Sequence, residues 1–522
     1  MTLWAPRVEL SKVEKRIVAR CKKRRVFVFL RELRHELFDA AFQERLLATY
    51  GSIPRGRPRV PPAQLAMATL LQAALGVPDH EVVELTVMDR RWQMVLDCAG
   101  AEEPLFSQGT LFNFRQRMIE HGLDQELLDK TVQLARERGG FSATHLRAAF
   151  DASPLRGAGR VEDTFNLIGR AAYAVVRTAA QRLGKTEADV ATAAGIPVLT
   201  ATSIKAGLDV DWDDRGARTQ ALRELLRQVY SLADWLKKEL ADGLAEPPLK
   251  EQWELVEQLI EQDTEPDPDG TGARIKRGVA KDRRISIHDA DMRHGRKSKS
   301  KRIDGYKRHV AIDLDAAGVV CAVAVTPANQ PERAAARLLL EGIERKALCV
   351  DELYIDRGYL GADAIEERRQ AGMQVICKPF PLRNGGRFHK GDFVINLEQA
   401  TVCCPNNIVV PLRLGRTARF PASQCDPCAQ RDQCTTARQG RGRSLSIHPN
   451  EPFHIQLRHE AKTPEGRARL RERIQVEHGL ATLQNRQGDR ARYRELRKNL
   501  FDVRRHAALS NISIADRLSR AA

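Results

Sequence analysis

The stretch KALCVDELYIDRGYLGADAIEERRQAGMQVICKPF, residues 346–380, decides the fold class. Its first half is apolar and β-prone and ends near Asp356, at Arg357-Gly358-Tyr359. Helical text follows over about Gly361–Ala371, and QVICKPF reads as another strand. Upstream, YKRHVAIDLD and GVVCAVAV are two β-rich runs with a turn at Ala316–Gly318, and a helix over about Glu332–Arg345 links them to the opening stretch. Further upstream, LRAAFDASPL is a short apolar run that closes on Asp151. The order of three strands, helix, strand, helix, strand and then helix defines an α/β core with a mixed sheet.

Two insertions interrupt this core. From about 165 to 262 the text is helical. In ALRELLRQVYSLADWLKKEL, residues Leu222, Leu225, Leu226, Val229, Leu232, Ala233, Leu236 and Leu240 follow the 3.6-residue period, and a second helix carries Trp253, Val256, Leu259 and Ile260. The acidic linker DTEPDPDGTG closes the insertion. The second insertion holds half of the ten cysteines. The expected organisation is a basic arm over 1–60, a helical domain over 61–140, core segments 146–164 and 283–382, a helical insertion with its linker over 165–282, a cysteine-rich insertion over 383–450, and a C-terminal helical part of the core over 464–522.

Lysine and arginine outnumber aspartate and glutamate by 85 to 68 in 522 residues, a net charge of +17, which favours a polyanionic partner and nucleic acid first. The most apolar stretch, Ala63 to Pro78, is broken by Gln64, Gln72 and Gly76 and falls short of the ~20 residues that span a bilayer. The N-terminus MTLWAPRVELSKVEKR has no apolar signal core, so a cytoplasmic location is expected and no membrane partner.

Pro61 and Pro62 open a helix that stops at Gly76–Pro78; a second runs from about Asp79 to Leu96, and a third follows the N-cap Ser107. Leu111, Phe114 and Met118 face a core, leaving Gln108, Thr110, Asn113 and Arg117 on other faces. Three short helices with a polar, basic third helix resemble a helix-turn-helix module, with Gln108, Asn113 and Arg117 as DNA contacts. The plainer reading is a bundle with a solvated face. RHGRKSKSKRIDGYKR puts nine cationic or histidine residues from Arg293 to Arg308, and Arg296, Lys297, Lys299 and Lys301 are expected on phosphates. A C-terminal run with Arg492, Arg494, Arg497, Lys498, Arg504 and Arg505 is either a DNA track or a solvated face.

Carboxylates at strand ends of a basic protein need a reason. Asp151 and Asp356 close strands, and Glu477 lies on a helix whose neighbours Arg473, Leu480 and Ala481 share its face. Three convergent carboxylates stay ionised when a cation neutralises them, and hard oxygen donors suit Mg²⁺ or Mn²⁺. Asp351, Asp289 and Asp291 are rival positions. Cys404, Cys425, Cys428 and Cys434, spaced C-x20-C-x2-C-x5-C, could close a tetrahedral structural Zn²⁺ site. Free thiols in a loop are the alternative. Cys21, Cys98, Cys321, Cys349 and Cys377 sit among apolar residues and are expected to be buried.

Several segments resemble bacterial insertion-sequence transposases of the DDE superfamily, and more narrowly a subgroup with a cysteine cluster inserted in a ribonuclease-H-like core. They are AAFDASPLRG (148–157), GYKRHVAID (305–313), TPANQPE (326–332), YIDRGYLGADA (354–364), RERIQVEHGLATL (471–483) and RARYRELRKNLFDVRRHAALSNI (490–512). The resemblance implies Asp151, Asp356 and Glu477 as a catalytic triad holding two Mg²⁺ (or Mn²⁺) ions. Arg473 matches the Arg of the family's Tyr–Arg–Glu–Lys signature, as a contact to the transposon end. Its Tyr and Lys positions hold Leu470 and Gln484 instead, and Glu495 stands where the subgroup often has Gly. The Cys404-Pro405 pair matches the subgroup's cysteine pattern. The expected activity is binding of terminal inverted repeats, with metal-dependent strand cleavage and 3′-OH strand transfer, by a homodimer or larger assembly in the bacterial cytoplasm at the nucleoid. Rival readings are a metal-dependent nuclease on the same core and a catalytically dead zinc-containing DNA-binding protein.

Overall fold

Six strands build the central sheet of the chain: β1 (His145–Arg156), β2 (Arg293–Arg296), β3 (Arg302–Asp313), β4 (Val320–Pro327), β5 (Cys349–Ile355) and β6 (Gln374–Cys377). Their order is β4-β3-β1-β5-β6, with short β2 pairing the first residues of β3 beside β4. β3 runs antiparallel to β1 and β4, whereas β1, β5 and β6 are mutually parallel. The sheet is therefore mixed. The structure is a computed structural model, which describes residues 3–51, 60–139, 144–270, 272–298, 300–315 and 318–521. The predicted turn residues Ala316 and Ala317, Lys299 and most of the Pro/Arg segment IPRGRPRVPP lie outside the described residues.

Alternating side chains give the sheet two buried faces. Leu146, Ala148, Phe150, Leu353 and Ile355 belong to a core shared with helices Ala336–Glu344 and Asp363–Gln370. Ala149, Leu155, Tyr306, Val310, Ile312 and Tyr354 face the other way, into a core completed by Val476, Leu480 and Leu483 of helix Ile474–Gln487. That helix crosses closely because Gly479 lies over the Ile312 side chain, where a Cβ would collide with it.

The described part of residues 1–60 is largely helical. Lys12–Arg20, Val26–Leu37 and Ala40–Ala48 are helices, and Phe27, Leu30, Leu33 and Phe42 enter the same core as helix Pro62–Leu75. The basic run Lys22–Arg25 is merely the turn between two of them. Arg34 is fully buried and donates to the carbonyls of Met94 and Val95 at 2.9 Å each. Charge counting hides an amphipathic helix whose arginines serve the interior.

The helical insertion forms as expected, around its own core. Helices Thr164–Leu183, Arg215–Glu239 and Leu249–Asp263 bury Leu222, Leu225, Leu226, Val229, Leu232 and Leu236, with Val256 and Leu259. The cysteine-rich insertion has more core than its composition suggests. Phe393, Val402, Val410, Leu412, Phe420, Leu445 and Ile447 cluster between a three-stranded sheet (394–396, 401–403, 409–411) and a two-stranded one (417–419, 444–446). Of the five other cysteines, Cys21, Cys321 and Cys377 are buried, but Cys98 is partly so and Cys349 is exposed at the start of β5. Among the described residues, no helix is long and apolar enough to cross a membrane.

Candidate active site at the end of the sheet

β1 does not stop at Asp151 as its sequence suggests. It continues to Arg156, because β3 pairs with it as far as Arg156↔Gly305. Its other neighbour is shorter: the parallel ladder between β1 and β5 ends at Ala149↔Tyr354. Extending that register by two residues sets Asp151 beside Asp356. Side chains two apart share a face, and neighbouring strands lie about 4.8 Å apart. Asp151 lies inside β1 and Asp356 one residue past the end of β5, close enough for the Asp356 charge to act on Asp151.

The third carboxylate arrives on that helix. The buried stripe is Val476, Leu480 and Leu483, whereas Ala481 is exposed, so the predicted inward face is rotated. Glu477 stands beside the stripe in the helix's first turn, its side chain half exposed. The stretch is not one continuous helix, because Pro464–Glu472 ends where Arg473 starts the next helix. From that junction Arg473 reaches Glu477 at 2.8 Å and Asp151 at 3.6 Å. Arg473 therefore links two of the three acids directly.

Burial pushes the Asp151 carboxyl above the usual carboxylate range. Its hydrogen bond from the Ala152 N–H and the Arg473 charge oppose the rise, and Glu477 and Asp356 add to it. Burial is the largest cause, and the like charges of Glu477 and Asp356 are the smaller additions. Among the described residues, no group of three or more His, Cys, Asp or Glu side chains is arranged to hold a metal as it stands. The guanidinium of Arg473 supplies the positive charge between Asp151 and Glu477.

The DRGY segment divides its labour. Asp356 caps a short 3-10 turn, accepting the Arg357 N–H at 2.6 Å, and Arg357 Nε donates to the Pro379 carbonyl at 2.8 Å. Tyr359 is fully buried, edge-on to Phe150 at 5.9 Å, with its hydroxyl 2.9 Å from His309 Nδ1. Gly358 carries no side chain because the Glu332 carboxylate occupies that space.

Glu332, the last residue of TPANQPE, is the site residue that sequence reasoning misses. It is half-buried, and burial raises its carboxyl; Lys307 opposes the rise, while Asp356 and Asp151 add to it. Lys307 is itself depressed by burial and donates to the Gln330 carbonyl at 2.7 Å. The available signal is the pairing of a Gly after Asp356 with an acid ending the TPANQPE segment. No periodicity argument joins residues that far apart.

The rival acids lie elsewhere. Asp351 is exposed at the opposite end of β5, 2.8 Å from His145. Asp289 and Asp291 accept the N–H groups of Glu495 and Leu496 at 3.2 and 2.8 Å, tying down the start of the C-terminal helix Leu496–Ala521. The other proposed contacts fall in three places. Gln108 and Asn113 are exposed on helix Gln108–Glu120, where Leu111, Phe114 and Met118 are buried as expected; Arg117 lies over the Tyr50 ring at 4.4 Å. Arg296, Lys297 and Lys301 are exposed around the β2–β3 hairpin. Cys404, Cys425, Cys428 and Cys434 line one small cavity of about 30 Å³; Cys403 does not. Burial raises the Cys434 thiol; Arg443 opposes this, and the other three thiols add to it.

A mixed sheet that gathers acidic groups from two neighbouring strand positions and a covering helix defines a class of α/β enzymes with carboxylate sites. Two family matches narrow it. The family described as Transposase DDE domain matches residues 269–512, and the Transposase domain DUF772 matches residues 16–117. The chain belongs to the DDE transposases of insertion sequences. Asp356 and Glu477 fall within the first match; Asp151 lies upstream of it, across the helical insertion. The second match spans the boundary expected near residue 60, in keeping with one N-terminal helical unit. No curated protein and no solved structure matches the chain. Its family makes it a nucleotidyl-transfer enzyme with DNA as substrate.

Proposed function

We propose that the chain binds the terminal inverted repeats of an insertion sequence, cuts a DNA strand there and joins the exposed 3′-hydroxyl to target DNA. The observation that supports this reading is that Arg473, at the start of the helix bearing Glu477, reaches both Glu477 and Asp151, and that the charges of Glu477 and Asp356 act on Asp151. The strand order β4-β3-β1-β5-β6, with β1, β5 and β6 parallel, supports a ribonuclease-H-like core.

The donors suit the divalent ions of such enzymes. All are hard carboxylate oxygens, and their mutual repulsion calls for a cation. Asp151, Asp356 and Glu477 would hold two Mg²⁺ or Mn²⁺ ions, which would activate the attacking hydroxyl and stabilise the leaving oxygen. The chain's own residues do the rest. The parallel register fixes the spacing of the two aspartates, Tyr359 and Arg357 hold the loop after β5, and Arg473 keeps Glu477 turned toward Asp151. Arg473 is then free to meet a phosphate when ions take over its place between the acids. Helix Gln108–Glu120, through Gln108, Asn113 and Arg117, would contact the inverted repeat, and the assembly would be a dimer or larger because two ends must meet. Cys404, Cys425, Cys428 and Cys434 form a soft thiolate set suited to one structural Zn²⁺, testable as bound metal by elemental analysis.

Asp356→Asn tests the central assignment. Mg²⁺-dependent cleavage of an end-containing duplex should vanish while the melting temperature holds. Full cleavage by that variant would remove Asp356 from the site. Strand-transfer product from a pre-cut end separates a transposase from a hydrolytic nuclease.

A further inference from the structure

Between the helical insertion and the core lies an open groove of about 620 Å³. One wall is the chain returning from the insertion, with Ile275, Lys276 and Val279; the other is the β2–β3 hairpin and the segment 328–331. The groove's acid is already satisfied. Asp263 accepts from Thr164 at 2.8 Å and from Arg283 at 2.6 Å. His294 is likewise paired, with Asp304 at 2.6 Å.

Its arginines are not satisfied. Arg296 and Arg302 are direct cross-strand partners, and both are exposed. Like charges directly opposite on a ladder repel. Neither side chain makes a hydrogen bond or ion pair among the described residues, although acids elsewhere on this surface are paired. A second feature is independent of charge. Val279 is 72% exposed and Ile275 is 45% exposed, apolar side chains presented to solvent on the wall facing those arginines. A partner that brings closely spaced negative charge together with apolar surface fits both, and a nucleic acid strand has phosphates on one edge and sugars and bases on the other. The groove also leads to the carboxylates. Lys307 lines it and faces Glu332, which lies against Gly358 beside Asp356.

We propose that this groove holds a DNA strand on its way to the carboxylate site, with phosphates between Arg296 and Arg302 and the helical insertion serving as the groove's outer wall. This rests on the transposase reading and gives the insertion a function within it. The insertion is anchored for that role by Asn329 Nδ2, which donates to Asp282 at 2.6 Å across the junction.

The test uses the full chain and fluorescein-labelled duplex and single-stranded oligonucleotides of arbitrary sequence, titrated over a range of salt. The Arg296→Ala/Arg302→Ala double variant should bind about tenfold more weakly. Its slope of log affinity against log salt should fall by roughly one to two, since each phosphate left without its cation lowers the slope by about one. Val279→Cys should attack DNA carrying an activated disulfide tether on the strand to be cut, forming a mixed disulfide and releasing the tether's thiol leaving group. An unchanged slope, or no crosslink, in protein whose wild type binds and cuts DNA overturns the groove and leaves the transposase reading standing. A reduced slope in the double variant and a crosslinking Val279→Cys chain, with no cutting by the wild type, keep the groove and sink the activity.

Discussion

Two arginine-rich stretches look alike on paper and behave in opposite ways. In the C-terminal helix, Arg497 and Arg504 both pair with Asp124, at 2.6 and 2.9 Å, and Arg505 closes on Asp502 at 2.5 Å in a fully buried pair. That helix packs against helix Leu123–Glu137, helix Pro62–Leu75 and β4, so it is the spine joining the N-terminal unit to the sheet. In the β2–β3 hairpin, Arg296 and Arg302 face each other, and among the described residues no acid pairs with either, the nearby Asp304 being paired with His294. The difference teaches that a cation's role depends on whether an acid from a remote segment reaches it. In the C-terminal run, Arg497, Arg504 and Arg505 are held by acids, whereas Arg494 stays exposed.

The sharpest way to break this contrast is to remove an acid from the spine. Asp124→Ala strips the partner from two arginines, one of them well buried. It should cost about 3–5 kcal/mol of stability, the range for orphaning a buried charge. Urea denaturation measures it, and a loss under about 1 kcal/mol would mean the spine is not held by these pairs.

Acid should find the spine next. Burial depresses the His506 imidazole to about 4, beside Asp502 and Arg505, and the His309 imidazole to about 3 between Tyr359 and Thr326. A histidine depressed in the folded state binds its proton more readily unfolded. Its neutral form costs nothing above the unfolded value near 6.5. Stability is then lost as pH falls from there toward the folded values, by up to about 1.4 kcal/mol per pH unit for each histidine. Denaturation midpoints at neutral and mildly acidic pH test this, with His506→Gln expected to flatten the dependence. A variant as acid-sensitive as the wild type would exonerate His506.

The smallest effect belongs to the hairpin. Arg296→Ala and Arg302→Ala should each change stability by less than about 0.5 kcal/mol, as exposed substitutions do, and the change should be toward greater stability because repulsion is relieved. Equal losses in the hairpin and the spine would erase the distinction drawn between them.

Much of the sheet is legible because strand alternation and turn residues are local signals. β3, β4, β5 and β6 form where the β-rich runs stand, and the 3.6-residue period marks the long insertion helix. Short β2 escapes notice, since four residues of RHGR carry no apolar alternation and depend on β3 for their pairing. The N-terminal helices are hidden by arginines whose partners are backbone carbonyls far along the chain, as Arg34 is held by Met94 and Val95. At the site, motif order singles out Asp151, Asp356 and Glu477, but the strand-end signal holds only for Asp356, because β1 runs on past Asp151 to Arg156. Glu332 cannot be named in this way, because its claim rests on contact with Gly358.

By itself, the sequence determined what is written locally: the mixed α/β class, the long helices, and the acids and thiols able to carry chemistry. Only the tertiary structure decided which charges face one another. It brought Asp151 within reach of the Asp356 charge, turned Arg473 onto two acids, paired Arg497, Arg504 and Arg505 with acids and left the side chains of Arg296 and Arg302 unpaired among the described residues. The physical reason is range. Backbone propensity and hydrophobic period act over a few residues, whereas Coulomb interaction and desolvation depend on distances that exist only once the chain has folded.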